Sequence, residues 1–150
     1  MRFALAPALI ALNALALSTS PLAAQAPVQS GTSHQTKSIA WSDLTGVWSG
    51  RSLRATSDSV ITLIAVHFSS PNKISVTYPN RAPIMGRLIS TGGDSVVFDY
   101  GPYESLTRAK HTVASVHNVL HLKGKRMTGG FIAKFDDGQS LTGRLELARK

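Results

Sequence analysis

Apolar and polar residues alternate along much of this chain in the pattern of β-strands. The clearest case is segment 73–78, where Ile74, Val76 and Tyr78 alternate with polar residues. A period of two puts successive side chains on opposite faces of a strand, and no window shows the 3.6-residue apolar period of a helix. Segment 60–68 is apolar at nearly every position, which predicts a strand that is covered on both faces or lies in a crowded part of the sheet. The predicted strands are a first strand around Trp48, followed by 60–68, 73–78, 84–90, 95–100, 112–122, 126–135 and 140–147.

Gly, Asp, Asn and Pro residues separate the predicted strands. The pair Asp137-Gly138 between two apolar strands is a strong hairpin signal. About eight short strands joined by tight turns predict an antiparallel meander, and closure into a barrel protects the two edge strands of such a sheet. The predicted fold is therefore all-β, a single antiparallel up-and-down barrel of about eight strands. Segment 101–110 lacks the strand pattern and is expected to form a short helical turn or a loop across one end of the sheet.

A glycine motif recurs on three predicted strands. In each copy the first glycine shares a face with the apolar residues two positions before and after it. A missing side chain relieves crowding where a strand bends around a narrow interior, so the motif favours a small closed barrel. The three copies are Leu44-Thr45-Gly46-Val47-Trp48, Met127-Thr128-Gly129-Gly130-Phe131 and Leu141-Thr142-Gly143-Arg144-Leu145.

Closure of the barrel also predicts a contact between the two ends of the folded chain. With an even number of antiparallel strands, the start of the first strand lies beside the end of the last. Arg149 is then able to lie across the indole of Trp48, a cation–π contact worth about 0.5 to 2 kcal/mol. Structural roles are therefore predicted for Gly46, Trp48, Gly129, Gly143 and Arg149.

The Gly46-x-Trp48 pair, with a basic residue after the last strand, resembles the lipocalin and calycin superfamily. This resemblance implies an eight-stranded barrel that holds a small apolar or amphipathic ligand, with Trp48 and Arg149 in structural roles. The phrase Leu-Thr-Gly-x-Trp also resembles the opening of avidin-like barrels, which would imply biotin binding. Here the chain departs from the pattern, because Gly50 stands where a polar pocket residue is expected and Trp41 is the only other tryptophan. Biotin is therefore not expected.

The N-terminal residues predict export. Arg2 precedes an apolar run over 3–17 and a small-residue stretch that ends at Ala26, which is the layout of a secretory signal peptide. The run is shorter than the roughly 20 apolar residues that cross a bilayer, so no membrane span is expected. We predict a signal peptide at 1–26, a polar disordered leader at 27–40 and a barrel domain at 41–150, in a periplasmic or secreted protein without cysteine.

The charge is strongly positive, with 16 Lys plus Arg against 8 Asp plus Glu. Such a balance favours weak attraction to anionic partners. The densest basic group, Lys123, Lys125 and Arg126, surrounds Gly124 and is interpreted as a solvated hairpin tip. No nucleic-acid partner is expected.

The inward-facing residues of the predicted barrel either line a ligand cavity or fill the interior. Barrels of this strand number do both, and residue type does not separate the two. No cofactor is predicted. The candidate ligand-binding residues are Tyr78, Phe98, Tyr100, Met127, Phe131 and Phe135.

The loop after the fifth predicted strand carries the best candidates for a polar site, which are Tyr103, Glu104, Arg108 and His111. A Glu near a His can act in acid–base catalysis, but paired charges on a solvated loop are the simpler interpretation, so no catalytic residue is predicted. His117 and His121 share a strand face about 13 Å apart, too far for one metal ion. No metal site is predicted.

Three functions follow from this pattern. The first is an exported, non-catalytic lipocalin-like barrel that binds a small apolar or amphipathic ligand, expected to be anionic because the surface is basic. The second is a ligand-free envelope module that contacts proteins, lipid headgroups or acidic polymers through that surface. The third is a barrel enzyme that uses the loop from Tyr103 to His111. The sequence leaves the oligomeric state open.

Overall fold

The computed structural model describes residues 38–150, so the predicted signal peptide and residues 27–37 of the predicted leader lie outside the described residues. Most of the described chain is β-structure, as the alternating pattern predicts. Among residues 38–150, no helix is long and apolar enough to cross a membrane. The elements are α1 (Trp41–Leu44), β1 (Gly46–Arg54), β2 (Val60–Ser70), β3 (Lys73–Thr77), β4 (Ile84–Gly92), β5 (Ser95–Tyr100), β6 (Tyr103–Glu104), β7 (Thr112–Lys123), β8 (Arg126–Phe135) and β9 (Ser140–Arg149).

The sheet closes on itself, which confirms the predicted barrel. Consecutive strands pair antiparallel from β1 to β5, β7 pairs β8 and β8 pairs β9. Two further antiparallel pairings, β5 with β7 and β1 with β9, complete a closed ring of eight strands. The two-residue strand β6 is an addition that pairs only with β7. Trp48 lies opposite Arg149, so the first and last strands meet.

Burial alternates along the strands, with one face toward the interior. On β2 the side chains of Ile64, Val66 and Phe68 are buried, whereas Leu63 is 60% exposed. Of the two alternatives for segment 60–68, coverage on both faces is therefore wrong, because Val60 and Leu63 lie on the outer surface. A bulge between Ser52 and Leu53 on β1 breaks the alternation.

The chain enters the barrel through α1, a helix that the sequence pattern did not predict. The Asp43 carboxylate accepts the Ala40 backbone N–H at 3.0 Å, which satisfies one donor at the start of the helix. Leu44 therefore ends a helix rather than lying on β1, and it is fully buried. The Trp48 indole N–H donates to the Leu44 carbonyl at 2.7 Å and fastens this helix to the barrel.

Large side chains fill the half of the barrel nearest α1, the helix end. Phe68 and Phe98 meet edge to face with ring centroids 5.6 Å apart, and both are fully buried. Trp41 packs edge-on against Phe68 at 6.3 Å. Ile39, just before the helix, also packs against this core. Three tyrosines, Tyr78, Tyr100 and Tyr103, meet at the opposite end, which we call the tyrosine end.

Candidate binding site at the tyrosine end of the barrel

Three tyrosines form a hydrogen-bonded cluster at the tyrosine end. The Tyr78 hydroxyl bonds to the Tyr100 hydroxyl at 2.6 Å and to the Tyr103 hydroxyl at 3.2 Å. The Tyr100 and Tyr103 rings stack with centroids 5.9 Å apart. Three hydroxyls carry three protons, and these two bonds use two of them. The cluster therefore retains hydrogen-bonding capacity for a further polar group.

Two strand ends and the loop after β5 position these tyrosines. Tyr78 follows β3 and Tyr100 ends β5, so both point inward where their strands reach the rim. Tyr103 reaches the cluster because β6 pairs with the start of β7 and turns the loop back across the barrel mouth. Burial raises the pKa of all three hydroxyls above the ordinary value for tyrosine, and proximity to a second tyrosine raises it further. The cluster is therefore neutral at physiological pH.

A cavity of about 30 Å³ lies beside the tyrosine cluster. That volume accommodates one or two water-sized groups, far less than the several hundred Å³ of a typical small-molecule pocket. No charged side chain is among the lining residues. They are Ser52, Ile61, Thr62, Tyr78, Tyr100, Tyr103, Ser105, Leu106, Thr107, Val113, Phe131, Ala133, Phe135, Leu141 and Leu145.

The loop residues Ser105 to Thr107 cover this cavity. The Ser105 hydroxyl accepts the backbone N–H groups of Thr107 at 3.2 Å and Arg108 at 3.0 Å. The Ser105 backbone N–H donates to the His111 carbonyl at 2.8 Å. These bonds hold Leu106 against the core as the cover of the cavity.

The structure divides the six predicted ligand-binding residues into two groups. Tyr78, Tyr100, Phe131 and Phe135 line the cavity. Phe98 and Met127 are fully buried in the filled part of the barrel and do not line the cavity. Alternation along a strand placed all six side chains inward, but it carries no information about their depth along the barrel axis.

Asn118 is a buried polar residue that sequence reasoning missed. Its side-chain N–H group donates to the Phe98 carbonyl at 3.0 Å and, more weakly, to the Val116 carbonyl at 3.4 Å. Its Oδ1 atom accepts no hydrogen bond from any residue in 38–150. The signal was available, because Asn118 stands between Val116 and Leu120 at an inward position of its strand. Phe131, which lines the cavity, is its neighbour on β8.

The predicted polar site separates into three sets of contacts, the first being that of Tyr103 with the other tyrosines. Glu104, whose side chain is 75% exposed, approaches Arg81 at 3.7 Å. His111 instead pairs with Asp136 through Nδ1 at 3.1 Å, and Arg108 forms a two-pronged ion pair with Asp137, 2.8 Å at its shorter contact. The Glu–His pair considered from the sequence is thus replaced by an Asp–His pair.

Asp136 and Asp137 were interpreted from the sequence only as part of a turn. The predicted hairpin was the available signal for their role, because it places both aspartates at the end of β8. There the Asp136 backbone N–H donates to the carbonyl of Thr112, the residue after His111. Ligand atoms of His111 and the two aspartates lie within 4.8 Å of one another, a spacing that a metal ion can bridge. The Arg108 guanidinium already supplies a positive charge to Asp137 and stacks on Phe135 at 4.7 Å from the ring centre. The cluster therefore fastens the covering loop to the hairpin between β8 and β9.

The same contacts lower the pKa of both aspartates. The backbone N–H of Thr112 is the main cause for Asp136, with His111 second, and the hydrogen bond from Arg108 is the main cause for Asp137. A lowered folded-state pKa means that the stabilisation is present above the unfolded carboxyl value, about 3.9, and is lost as pH falls through the folded value.

We expect Asp137→Asn to lower stability at neutral pH and to have little effect in acid. As pH falls from the unfolded carboxyl value, about 3.9, toward the lowered folded-state pKa of Asp137, the stabilisation from its ion pair with Arg108 is progressively lost and the two proteins converge. Urea unfolding midpoints of both proteins, determined at neutral pH and at a series of decreasing acid pH values, measure this convergence. A difference that persists undiminished in acid would show that the charge of Asp137 is not the cause.

Of the residues with predicted structural roles, Gly46, Trp48 and Arg149 lie at the helix end. Gly129 lies on β8 and Gly143 on β9. The Arg149 guanidinium lies over the Trp48 ring, 5.7 Å from its centre, and donates to the carbonyls of Asp43 at 3.3 Å and of Thr45. Gly46 has a φ of +119°, which allows the chain to turn from α1 into β1. Further along the strands, Gly129 lies close to the Val119 carbonyl of β7, and Gly143 lies beneath the ring of Phe131.

Comparisons with known proteins add no family to this geometry. The described residues form a closed eight-stranded antiparallel barrel with a small neutral cavity near one rim and a helix at the other. No protein-family model, curated protein or solved structure matches the chain.

Proposed function

We propose that this protein is an exported, non-catalytic, lipocalin-like barrel that binds a small amphipathic ligand at the tyrosine end. The observation that carries the proposal is the cavity with three tyrosines on one side and apolar side chains such as Phe131 and Phe135 on the other. Such a lining matches a molecule with one polar group and an apolar body.

The ligand in this proposal is neutral, unlike the anionic ligand expected from the surface charge. No Lys, Arg or His lines the cavity, and burial keeps the tyrosines protonated. A charged group placed there would lose its hydration without gaining a partner. A hydroxyl, carbonyl or amide instead exchanges hydrogen bonds with the cluster.

The size of the cavity sets how such a ligand enters. About 30 Å³ admits a polar head group but not a whole ring. The apolar body must therefore displace the cover formed by Leu106, which is only partly buried and belongs to an irregular loop. The covering loop is held mainly by Ser105 and by the contacts of Arg108 and His111 with the hairpin.

We expect phenol to bind saturably and benzoate, of similar size, to bind at least roughly tenfold more weakly, because only phenol is neutral. Tyr78→Phe removes the central hydroxyl and is expected to weaken phenol binding roughly fivefold and to destabilise the fold by about 1 kcal/mol. Titration of the isotopically labelled protein, followed by the backbone amide signals of residues 103–107, measures both affinities.

A pair of matched leucine variants locates the site. Leu106→Ala enlarges the cavity and is expected to strengthen phenol binding, whereas Leu122→Ala removes a similarly half-buried leucine at the helix end and is expected to leave it unchanged. Equal binding of phenol and benzoate, or equal effects of the two leucine variants, would contradict the proposed site. Native mass spectrometry of protein purified from its host's envelope then identifies the natural ligand.

The nearly filled interior favours a second function, a module that contacts an acidic partner through its basic surface. In the helix half of the barrel, large interior side chains such as Phe68, Phe98 and Met127 are fully buried and belong to one packed core. A filled barrel can act as a rigid support for the charged side chains on its outer surface. The cationic side chains are distributed unevenly over that surface.

A further inference from the structure

Positive charge accumulates at the helix end of the barrel. The starts of β1, β3 and β8 meet there with the ends of β7 and β9. Two carboxylates lie at the same end, and each has a local partner: Asp43 accepts the Ala40 N–H and Asp94 pairs with His121. The cationic side chains at this end are Lys73, Lys123, Lys125, Arg126, Arg149 and Lys150.

Most of these cations have no anionic partner in the part of the chain that the structure describes. Arg149 is held by the carbonyls at the end of α1. The other five are exposed and form no ion pair within residues 38–150. At the tyrosine end fewer cations are unpaired. Arg81 pairs with Glu104, Arg108 with Asp137 and Arg144 with Asp58, which leaves Arg54, Lys110 and Lys134 exposed and without an ion pair within residues 38–150.

Apolar side chains accompany the unpaired cations at the helix end. Trp41 is only partly buried at the start of α1, and Leu122 is partly buried beside Lys123. Val47, 39% exposed, accepts the Lys150 backbone N–H at its carbonyl. Tryptophan favours the headgroup region of a bilayer, and lysine beside it reaches anionic headgroups while its stem covers apolar surface.

We propose that the helix end is a docking surface for an anionic lipid bilayer. Lys123, Lys125 and Arg126 form the hairpin that contacts the headgroups, and Trp41 enters the interface next to them. The opposite end then faces away from the bilayer with the tyrosine cavity at its rim. This inference rests on the second, basic-surface function and not on the cavity, so phenol binding and lipid binding can each fail alone.

The test is cosedimentation with vesicles of phosphatidylcholine, alone or mixed with phosphatidylglycerol. The protein is expected to bind the mixed vesicles at low salt, to bind phosphatidylcholine alone at least about tenfold more weakly, and to dissociate at high salt. Trp48 is fully buried, so a blue shift of tryptophan emission on binding reports Trp41. Trp41→Phe is expected to abolish that shift.

A matched pair of double variants separates the surface from net charge. Lys123→Glu with Lys125→Glu is expected to weaken binding at least about tenfold. Arg54→Glu with Lys134→Glu makes the same charge change at exposed positions of the tyrosine end and is expected to retain most of the binding. Unchanged far-ultraviolet circular dichroism verifies that each variant folds. Equal losses in both pairs, binding that ignores phosphatidylglycerol, or binding to a soluble acidic polysaccharide but not to vesicles would each overturn the proposal.

Discussion

Replacing Gly50 with alanine is expected to destabilise the barrel by about 4 kcal/mol, although the change adds only one methyl group. Gly50 lies on β1 opposite Leu147 of β9, in the pairing that closes the barrel. A Cβ atom there would overlap the Glu146 carbonyl oxygen and lie 2.8 Å from the Glu146 carbonyl carbon. These are backbone atoms of a paired strand, so relief requires the closing pairing itself to separate. Urea unfolding followed by tryptophan fluorescence measures the loss.

Gly92 provides the matched control for this substitution. It also lies on a strand, but a Cβ atom added to it meets nothing within 4 Å. Gly92→Ala is expected to change stability by less than about 0.5 kcal/mol and to lean toward stabilisation, because alanine restricts the unfolded chain more than glycine does. Similar effects of the two substitutions would mean that the packing of β1 against β9 is looser than the contact at Gly50 indicates.

The strands and their closure could be predicted because both depend on local sequence and on general rules. Period-two alternation marks each strand, turn residues mark each hairpin, and a meander of this length must protect its edges. Helix α1 was not predicted because four residues are too few to show a 3.6-residue period. It is held by contacts with the far end of the chain, from Arg149 to the Asp43 carbonyl, that no local pattern contains.

The exposed apolar residues of β2 show a second limit of prediction from sequence. Leu63 and Val60 are apolar and exposed, so an unbroken apolar run did not mean burial on both faces. Folded proteins keep much apolar surface in contact with water, and β-branched residues favour strands whichever face they occupy. Apolar runs therefore predict the strand but not which of its faces is covered.

The candidate site was only partly predictable for a geometric reason. Alternation correctly places Tyr78 and Tyr100 inside the barrel, but the cluster also requires Tyr103, whose position depends on how the loop after β5 folds back to pair with β7. Depth along the barrel axis depends on where each strand reaches the rim: Tyr100 lies there because it ends β5, whereas Phe98, two residues earlier, lies in the filled half. The partners of His111 depend on the register of β7 with β8, which brings Asp136 beside it.

Replacing Arg149 with methionine is expected to cost about 2 kcal/mol, because this side chain joins the last strand to α1. Its guanidinium stacks on Trp48 and donates to the carbonyls of Ser42, Asp43 and Thr45 at the C-terminal end of the helix. Those carbonyls have no partner within the short helix, so the guanidinium satisfies acceptors that would otherwise depend on water. Methionine keeps much of the apolar stem and removes the fork of donors. Chemical unfolding measures the change in stability, and the combined emission of Trp41 and Trp48 reports the loosening of the helix.

Two further variants assign this loss to the geometry of the guanidinium. Arg149→Lys keeps the charge but not the planar fork, so it is expected to recover less than half of the loss. Arg144→Met removes an arginine from the same strand whose partner, Asp58, is 95% exposed, and it is expected to change stability by less than about 0.5 kcal/mol. If lysine restored full stability, charge alone would account for the role of Arg149. If Arg144→Met cost as much stability as Arg149→Met, the loss would not be specific to the arginine that lies across the Trp48 indole. The stacking and helix contacts of Arg149 would then not explain its contribution.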